Sequence, residues 1–372
     1  MTRQTCSDGR TVAVRFEMFK VVPQNTVMHT SSIQVDSNSP STQCPKRLCR
    51  GPCSDTLDGR CGTLPEQDCV WLDGPVIETR HHMSTTPQAV GDRAVVSKLQ
   101  KRLCDGAFVH VCEIHSPKVG QLGCFVDRAL ALSPWFEAMN VTGQLKGRSV
   151  MPSPEAAGHL RAIGVDAIAI LTGRDGDQTQ LLTELAMMHC SDVGNLMCLT
   201  GDGGQGHAEA IQMDSLGMLR LASGEPASRR LWLGAVINPF STPATLPLLQ
   251  LEQKIESGAD FVQTQMVFDL PRFEAFCDAM VARRLHERVS LLAGVPVVVS
   301  QEGLALVKRL PGVWLPGAVE KRLRESSDIR QCGIDLAKQM IASMRKMLGV
   351  RGVHVMLLGG EDVQDMIEVV QP

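Results

Sequence analysis

Tyrosine is absent from the 372-residue chain, and aromatic residues make up only 4% of it. No phenol can therefore serve as an acid, a base or a stacking ring in this protein. An excess of positive charge is also missing, because the net charge is -3, and this gives no electrostatic basis for binding nucleic acid. No run of about 18 apolar residues occurs, and the first residues lack the apolar region of a secretory signal. The sequence therefore predicts a cytoplasmic protein without membrane contact.

What is present indicates a well-buried globular protein, with 44% hydrophobic and 21% charged residues. From about residue 94 onward, apolar strands alternate with helical patterns. Eight such strands over roughly 270 residues have the size and rhythm of an α/β (β/α)8 barrel, the TIM barrel. A doubly wound open sheet is the alternative, but no Gly-x-Gly-x-x-Gly follows the first strand, which weakens it. In this pattern Ser153 is a predicted N-cap and residues His207 to Leu221 are a predicted helix.

The region before the barrel is rich in cysteine. We predict that residues 1–40 form a weakly ordered arm with one strand from Thr11 to Phe19. Residues 41–90 are predicted to form a Cys-rich module and linker, and residues 91–372 are predicted to form the barrel. Four thiolates around one metal would stabilise a segment too short to have a core. We predict a zinc ion or an iron–sulfur cluster here, with Cys49 as an additional candidate and with four ligands: Cys44, Cys53, Cys61 and Cys69. The alternative is a loop of reduced cysteines that pack as small hydrophobes.

Polar residues at the carboxyl ends of the barrel strands are the candidates for chemistry. Glu113 ends the first strand between apolar neighbours, and a buried carboxyl group with a raised pKa suits a general acid. The alternative is a carboxylate paired with Lys118 or Arg174. Asp202 follows the fourth strand between glycines, which favours contact with a ligand, whereas the alternative is a helix N-cap.

Three further groups complete the predicted site. Thr172, Arg174 and Asp175 follow the third strand, and Gly201 follows the fourth, where Thr-Gly sequences bring the backbone close to a ligand. Side chains that could hydrogen-bond a heterocycle such as a pterin are Asn238, Thr264 and Gln265. Lys254 could reach a phosphate or be an ordinary solvated lysine.

Together these segments resemble the methylenetetrahydrofolate reductase family, particularly the branch attached to a homocysteine methyltransferase. The stretches that carry the resemblance include Cys112-Glu-Ile-His-Ser-Pro117, Asn195-Leu-Met-Cys-Leu-Thr-Gly-Asp202, Gly234-Ala-Val-Ile-Asn-Pro239 and Gly352-Val-His354. The resemblance implies a folate-binding barrel in which Glu113 is the acid at N5 of folate and Asp202 lies near pterin and flavin. It also implies that Gln265 contacts folate and Lys254 the flavin phosphates. The Cys-rich segment looks like the module found with, or as a partner of, such reductases in anaerobes.

The chain departs from the family pattern on the third strand, where Ile170 and Gly173 stand in place of a histidine and a cysteine. Farther along, Gln301-Glu302 replaces an Asn-Phe that would stack on folate, and Asp177 replaces an asparagine. Our first hypothesis is an oxidoreductase that interconverts 5,10-methylene- and 5-methyltetrahydrofolate through a flavin, FAD or FMN. The second is a flavin-free tetrahydrofolate-dependent methyltransferase or demethylase, and the third is a non-catalytic or electron-relay partner subunit. The implied partners are NAD(P)H, a redox or methyltransferase protein, or a second copy of the chain.

Overall fold

The computed structural model describes residues 43–46, 48, 51–53, 55–72, 96–143, 150–173, 177–201, 213–224 and 231–371, and the backbone of residues 4–5 and 11–12. The chain divides into two compact units, residues 1–39 and 40–372. In the first unit, β1 (Gln4–Thr5) pairs antiparallel with β2 (Thr11–Val12). The rest of the predicted arm and of its predicted strand lies outside the described residues.

In the second unit, parallel strands close into a barrel in the order β10-β3-β4-β5-β6-β7-β8-β9, which confirms the predicted TIM barrel. The strands are β3 (Val109–His115), β4 (Ala138–Thr142), β5 (Ala167–Thr172), β6 (Asn195–Leu199), β7 (Trp232–Ile237), β8 (Phe261–Met266), β9 (Ser290–Val298) and β10 (Val350–Leu358). The helices are α1 (Lys98–Cys104), α2 (Leu122–Leu132), α3 (Ser153–Ala162), α4 (Gln178–Cys190), α5 (Ser215–Gly224), α6 (Leu246–Glu256), α7 (Leu270–Ala282), α8 (Gln301–Val307), α9 (Gly317–Glu325), α10 (Ile329–Met344) and α11 (Val363–Val370). None of the described helices is long and apolar enough to cross a membrane.

The barrel interior changes from apolar to polar along its axis. Successive side chains of a strand point to opposite faces, so that every second residue of each strand points inward. At the amino ends of the strands the inward residues form an apolar cluster that includes Val109, Val111 and Phe261, closed from below by Leu99 and Leu103 of α1. At the carboxyl ends they are polar, namely Glu113, Asn140, Gln263 and His354. The fold thus collects polar groups at the barrel mouth.

Two predicted helix starts need comment. The prediction that Ser153 is an N-cap is wrong, because Ser153 is the first residue of α3. Its Oγ donates to the carbonyl of Val141 at 2.6 Å and accepts from the amide of Ile170 at 2.8 Å. The hydroxyl therefore links β4 to β5 instead of capping the helix. The helix predicted from His207 begins in residues outside the described part, and α5 covers Ser215–Gly224.

Candidate functional site

A cavity of about 600 Å³ opens at the carboxyl ends of the barrel strands. It brings together these predicted site residues: Glu113, Thr172, Gly201, Lys254, Thr264 and Gln265. Part of its wall comes from the Cys-rich segment, through residues that include Lys46, Cys53 and Asp55. A volume of this size suits a single small-molecule ligand. The predicted residues Arg174, Asp175 and Asp202 lie outside the described residues.

Buried amides form the floor of this cavity. Asn140 Nδ2 donates to Gln263 Oε1 at 2.6 Å, and Gln263 Nε2 donates back to Asn140 Oδ1 at 3.1 Å. The second N–H of Asn140 points to His354 Nε2, 3.1 Å away. Both amide side chains are only 2% exposed. Because each group satisfies its neighbour, the floor is a fixed polar surface rather than an adaptable one.

Glu113 stands above this floor, with its side chain 29% exposed toward the cavity. Its Oε2 lies 3.8 Å from His354 Nε2, and its Oε1 lies 3.9 Å from His115 Nδ1. Burial raises the pKa of Glu113, and the nearby His115 offsets only part of this effect. Burial also lowers the pKa of His354 to about 3, so that this imidazole is neutral.

The tautomer of His354 follows from the same hydrogen bonds. Its Nε2 accepts from Asn140, so it carries no proton and offers neither a positive charge nor a donor to Glu113. A carboxyl group in that surrounding favours its protonated form. No described ion pair joins Glu113 to Lys118, the alternative suggested by the sequence. The arrangement can therefore deliver a proton to a ligand in the cavity.

Thr264 and Gln265 lie where β8 changes its register against β9, between Gln263 and Met266. The hydroxyl of Thr264 accepts from the amide of Gly294 and donates to the carbonyl of Gln265, both at 2.8 Å. The shift places Gln265 at the cavity wall, with its Nε2 donating to the carbonyl of Pro311 at 3.3 Å. Among the described residues, the other N–H of this amide has no hydrogen-bond partner, so that it can bind a ligand. Thr264 acts by shaping the strand.

Asn238 is not among the residues that line the cavity. Its Nδ2 donates to the carbonyl of Gly312 at 2.8 Å, and its Oδ1 accepts from the amide of Phe240 at 3.0 Å. The side chain is 2% exposed and ties β7 to the loop after α8. This geometry gives no support to the prediction that Asn238 contacts the substrate, because its amide is used within the protein.

The surroundings of Lys254 show whether a flavin fits the site, because the family resemblance implies that Lys254 contacts the flavin phosphates. Its ammonium donates to the carbonyl of Val236 at 2.6 Å, and burial lowers its pKa to about 8. The negative charges of Asp214 and Asp55 counteract that lowering. A phosphate at this ammonium would meet both carboxylates. The residues present therefore fit a flavin phosphate poorly, and flavin binding stays a prediction.

The four predicted metal ligands, Cys44, Cys53, Cys61 and Cys69, line one small cavity of about 10 Å³. Four thiols are a donor set that suits zinc or an iron–sulfur cluster. Among the described residues, however, no three His, Cys, Asp or Glu side chains converge so as to hold a metal ion. Cys49 lies outside the described residues. The metal stays a prediction.

Several residues of the site were not predicted as such. Asn140 and Gln263 are polar residues inside otherwise apolar strands, at positions that point into the barrel, and this is a signal that could have found them. His354 had been noted only as part of the family pattern. Lys46 and Asp55 gave no signal, because their place in the site depends on the docking of the Cys-rich segment against the barrel.

Comparison with known proteins gives the same assignment for the barrel. Residues 98–370 match the family described as methylenetetrahydrofolate reductase, and residues 33–90 match one described as methylene-tetrahydrofolate reductase C terminal. The chain is 24% identical, over 62% of its length and 77% of the relative's, to 5,10-methylenetetrahydrofolate reductase of Salmonella typhimurium. An uncharacterized protein from Clostridium thermocellum that binds two copies of 5-methyl-5,6,7,8-tetrahydrofolic acid has a TM-score of 0.57. That likeness covers 73% of this chain and 97% of the other at 14% identity, and so it concerns the fold alone.

Proposed function

Because the chain belongs to the methylenetetrahydrofolate reductase family, we propose that it interconverts 5,10-methylene- and 5-methyltetrahydrofolate in the barrel cavity. The observation that carries the proposal is Glu113, a carboxyl group whose pKa is raised by burial at the floor of a ligand-sized cavity. The name of the Salmonella relative supports the reaction. The shared fold of the Clostridium protein, which binds 5-methyl-5,6,7,8-tetrahydrofolic acid, agrees with the substrate class.

The proposed reaction needs one proton and one hydride. Glu113 donates its proton to the folate nitrogen whose bond to the bridging carbon breaks, so that the five-membered ring opens to an iminium. A hydride from a reduced nicotinamide then adds to the exocyclic carbon and forms the methyl group. In the reverse direction the hydride passes to an oxidised nicotinamide and the proton returns to Glu113. Burial keeps the carboxyl group protonated at the start.

The same cavity offers groups for recognition of a pterin. A pterin presents donors and acceptors along one edge, and amide side chains can pair with both. Gln265 is the amide at the wall with an N–H available, and we propose it as the folate contact. Thr172 and Gly201 also line the cavity, where hydroxyl and backbone groups can approach the ligand. Asp202, Arg174 and Asp175 stay predicted contacts of ligand or cofactor.

The experiment that tests the proposal is a turnover assay on the full chain with 5,10-methylenetetrahydrofolate and NADH or NADPH, run with and without added FAD or FMN. We expect consumption of reduced nicotinamide and formation of 5-methyltetrahydrofolate. Glu113→Gln should lower kcat by about 10² to 10⁴-fold, the usual contribution of a positioned acid. Glu361→Gln, a change at an exposed carboxylate, is the matched control. Full activity of Glu113→Gln would contradict the role of this residue.

A second candidate function is a flavin-free folate-dependent methyl transfer, and the charge balance around Lys254 favours it. Methyl transfer needs no hydride donor, so a poor fit for flavin would not matter. The assay follows an isotopically labelled methyl group from 5-methyltetrahydrofolate to a thiol or to a corrinoid acceptor, without NAD(P)H. Transfer under these conditions would support this function over the reductase, and no binding of folate by calorimetry would rule out both.

A further inference from the structure

The Cys-rich module forms one side of the barrel mouth. The covering segment, as we call it, consists of these described residues, all of which line the cavity: Gly51, Pro52, Cys53 and Asp55. Gln250 of α6 donates through Nε2 to the carbonyl of Pro52 at 2.8 Å. Nearby, the amide of Gly59 donates to Thr242 Oγ1 at 3.0 Å. These bonds hold the covering segment against the barrel, one helical turn from Lys254.

The covering segment brings a carboxylate to this side of the cavity. Asp55 Oδ2 lies 2.5 Å from Lys46 Nζ, and the side chains of Asp55 and Lys46 are 18% and 6% exposed, respectively. The charges of Asp55 and Asp214 both stabilise the ammonium of Lys254. Two cations and two carboxylates therefore share one wall of the cavity. The net charge of this wall is close to zero, although it contains two buried lysines.

The backbone also approaches closely at Gly173, the residue after Thr172 of the cavity wall. A side chain built on Gly173 would collide with the backbone carbonyl of Met213, the residue before Asp214. The family resemblance expects a cysteine at position 173 and a histidine at position 170, where this chain has Gly173 and Ile170. The space of a side chain at position 173 is thus taken by the protein's own backbone. This closure is independent of the covering segment.

We propose that Asp55 and the covering segment occupy the side of the cavity to which Lys254 also contributes, where a cofactor phosphate would lie, so that the cavity admits a folate but no tightly bound flavin. A phosphate there would meet the carboxylate of Asp55, which already pairs with Lys46. It would also have to remain beside Asp214. Only the identity of the retained ligand rests on the proposed function. The exclusion of phosphate rests on the charges and contacts given above.

The test begins with the full-length chain and three probes. FMN, FAD and 5-methyltetrahydrofolate are each titrated by isothermal calorimetry, with flavin fluorescence as a second readout. We expect folate to bind and neither flavin to bind below about 100 µM, a level well above the affinity of a resident cofactor. Stoichiometric flavin binding in the low micromolar range would overturn the inference and leave the folate proposal intact. Absence of folate binding would remove the proposed function instead.

A pair of variants then tests Asp55 itself. Asp55→Asn removes the carboxylate and leaves both Lys46 and Lys254 without this counter-charge. Asp58→Asn makes the same change at an exposed position of the same module. We expect Asp55→Asn to bind FMN at least tenfold more tightly than Asp58→Asn does. Equal affinity in the two variants would overturn the role of Asp55, and the titrations of the unmodified chain remain decisive if Asp55→Asn does not fold.

Discussion

Replacing Gln263 by leucine should destabilise the protein more than removing the whole amide pair on the barrel floor. Gln263 and Asn140 exchange two hydrogen bonds, of 2.6 and 3.1 Å, and both side chains are 2% exposed. Gln263→Leu therefore leaves one carbonyl oxygen and one N–H of Asn140 without partners. Because Asn140 is buried, little water can replace the lost partners of these two groups.

The magnitude follows from counting these orphaned groups. A buried polar group without a partner costs about 1–3 kcal/mol, so Gln263→Leu should lower the free energy of unfolding by about 2–6 kcal/mol. In the double variant Asn140→Leu/Gln263→Leu, only His354 Nε2 loses a partner, at a cost of about 1–3 kcal/mol. Since domains are stable by about 5–15 kcal/mol, both variants should remain measurable, and the prediction concerns which of the two is the more stable.

Equilibrium unfolding in urea, followed by tryptophan fluorescence, measures both variants within a double-mutant cycle. Trp232, buried at the base of the barrel, reports on the relevant unit. Gln364→Leu, at an exposed position, is the control and should change stability by no more than about 0.5 kcal/mol. If the double variant is at least as destabilised as Gln263→Leu alone, the reasoning from unsatisfied groups is refuted.

Three more predictions follow from the site. Glu113→Gln should raise the free energy of unfolding at pH values above the pKa of Glu113, because burial raises that pKa and so penalises the charged carboxylate. This gain in stability should vanish as the pH falls toward 4.5, and unfolding experiments at several pH values would show it. Lys254→Met removes the penalty on the charged amine, which a fall in pKa from 10.5 to about 8 puts at about 3 kcal/mol at pH 7, and so should raise the unfolding free energy by that amount less the cost of the lost bond to the Val236 carbonyl. That difference should shrink between pH 8 and 10.5, and a constant difference would contradict it. Serine at Cys44 or Cys61 should abolish bound metal in elemental analysis, whereas Cys104→Ser, at an exposed cysteine, should retain it.

The barrel was predictable because each of its strands can be recognised from its own local sequence. Buried parallel strands read as apolar runs, and the carboxyl ends of these runs marked Glu113, Thr264 and Gln265 as neighbours. The helix α9 (Gly317–Glu325) escaped prediction, because Leu323 is its only buried residue and its pattern is therefore almost wholly polar. Asn238 shared the strand-end position of the true cavity residues. Its amide was nevertheless used by Gly312 and Phe240, which no local pattern reveals.

By itself the sequence determined the alternation of strands and helices, the polar strand ends and the thiol-rich segment, since each of these depends on residues close together in the chain. Only the tertiary structure decided which charges meet. Asp55 and Lys254 lie far apart in sequence, and the docking of the Cys-rich module brings both to one cavity. The protonation of Glu113 likewise depends on its burial in the closed barrel, where His354 of the last strand lies 3.8 Å away. Long-range Coulomb and desolvation effects are set by distance in space, and a linear sequence does not contain that distance.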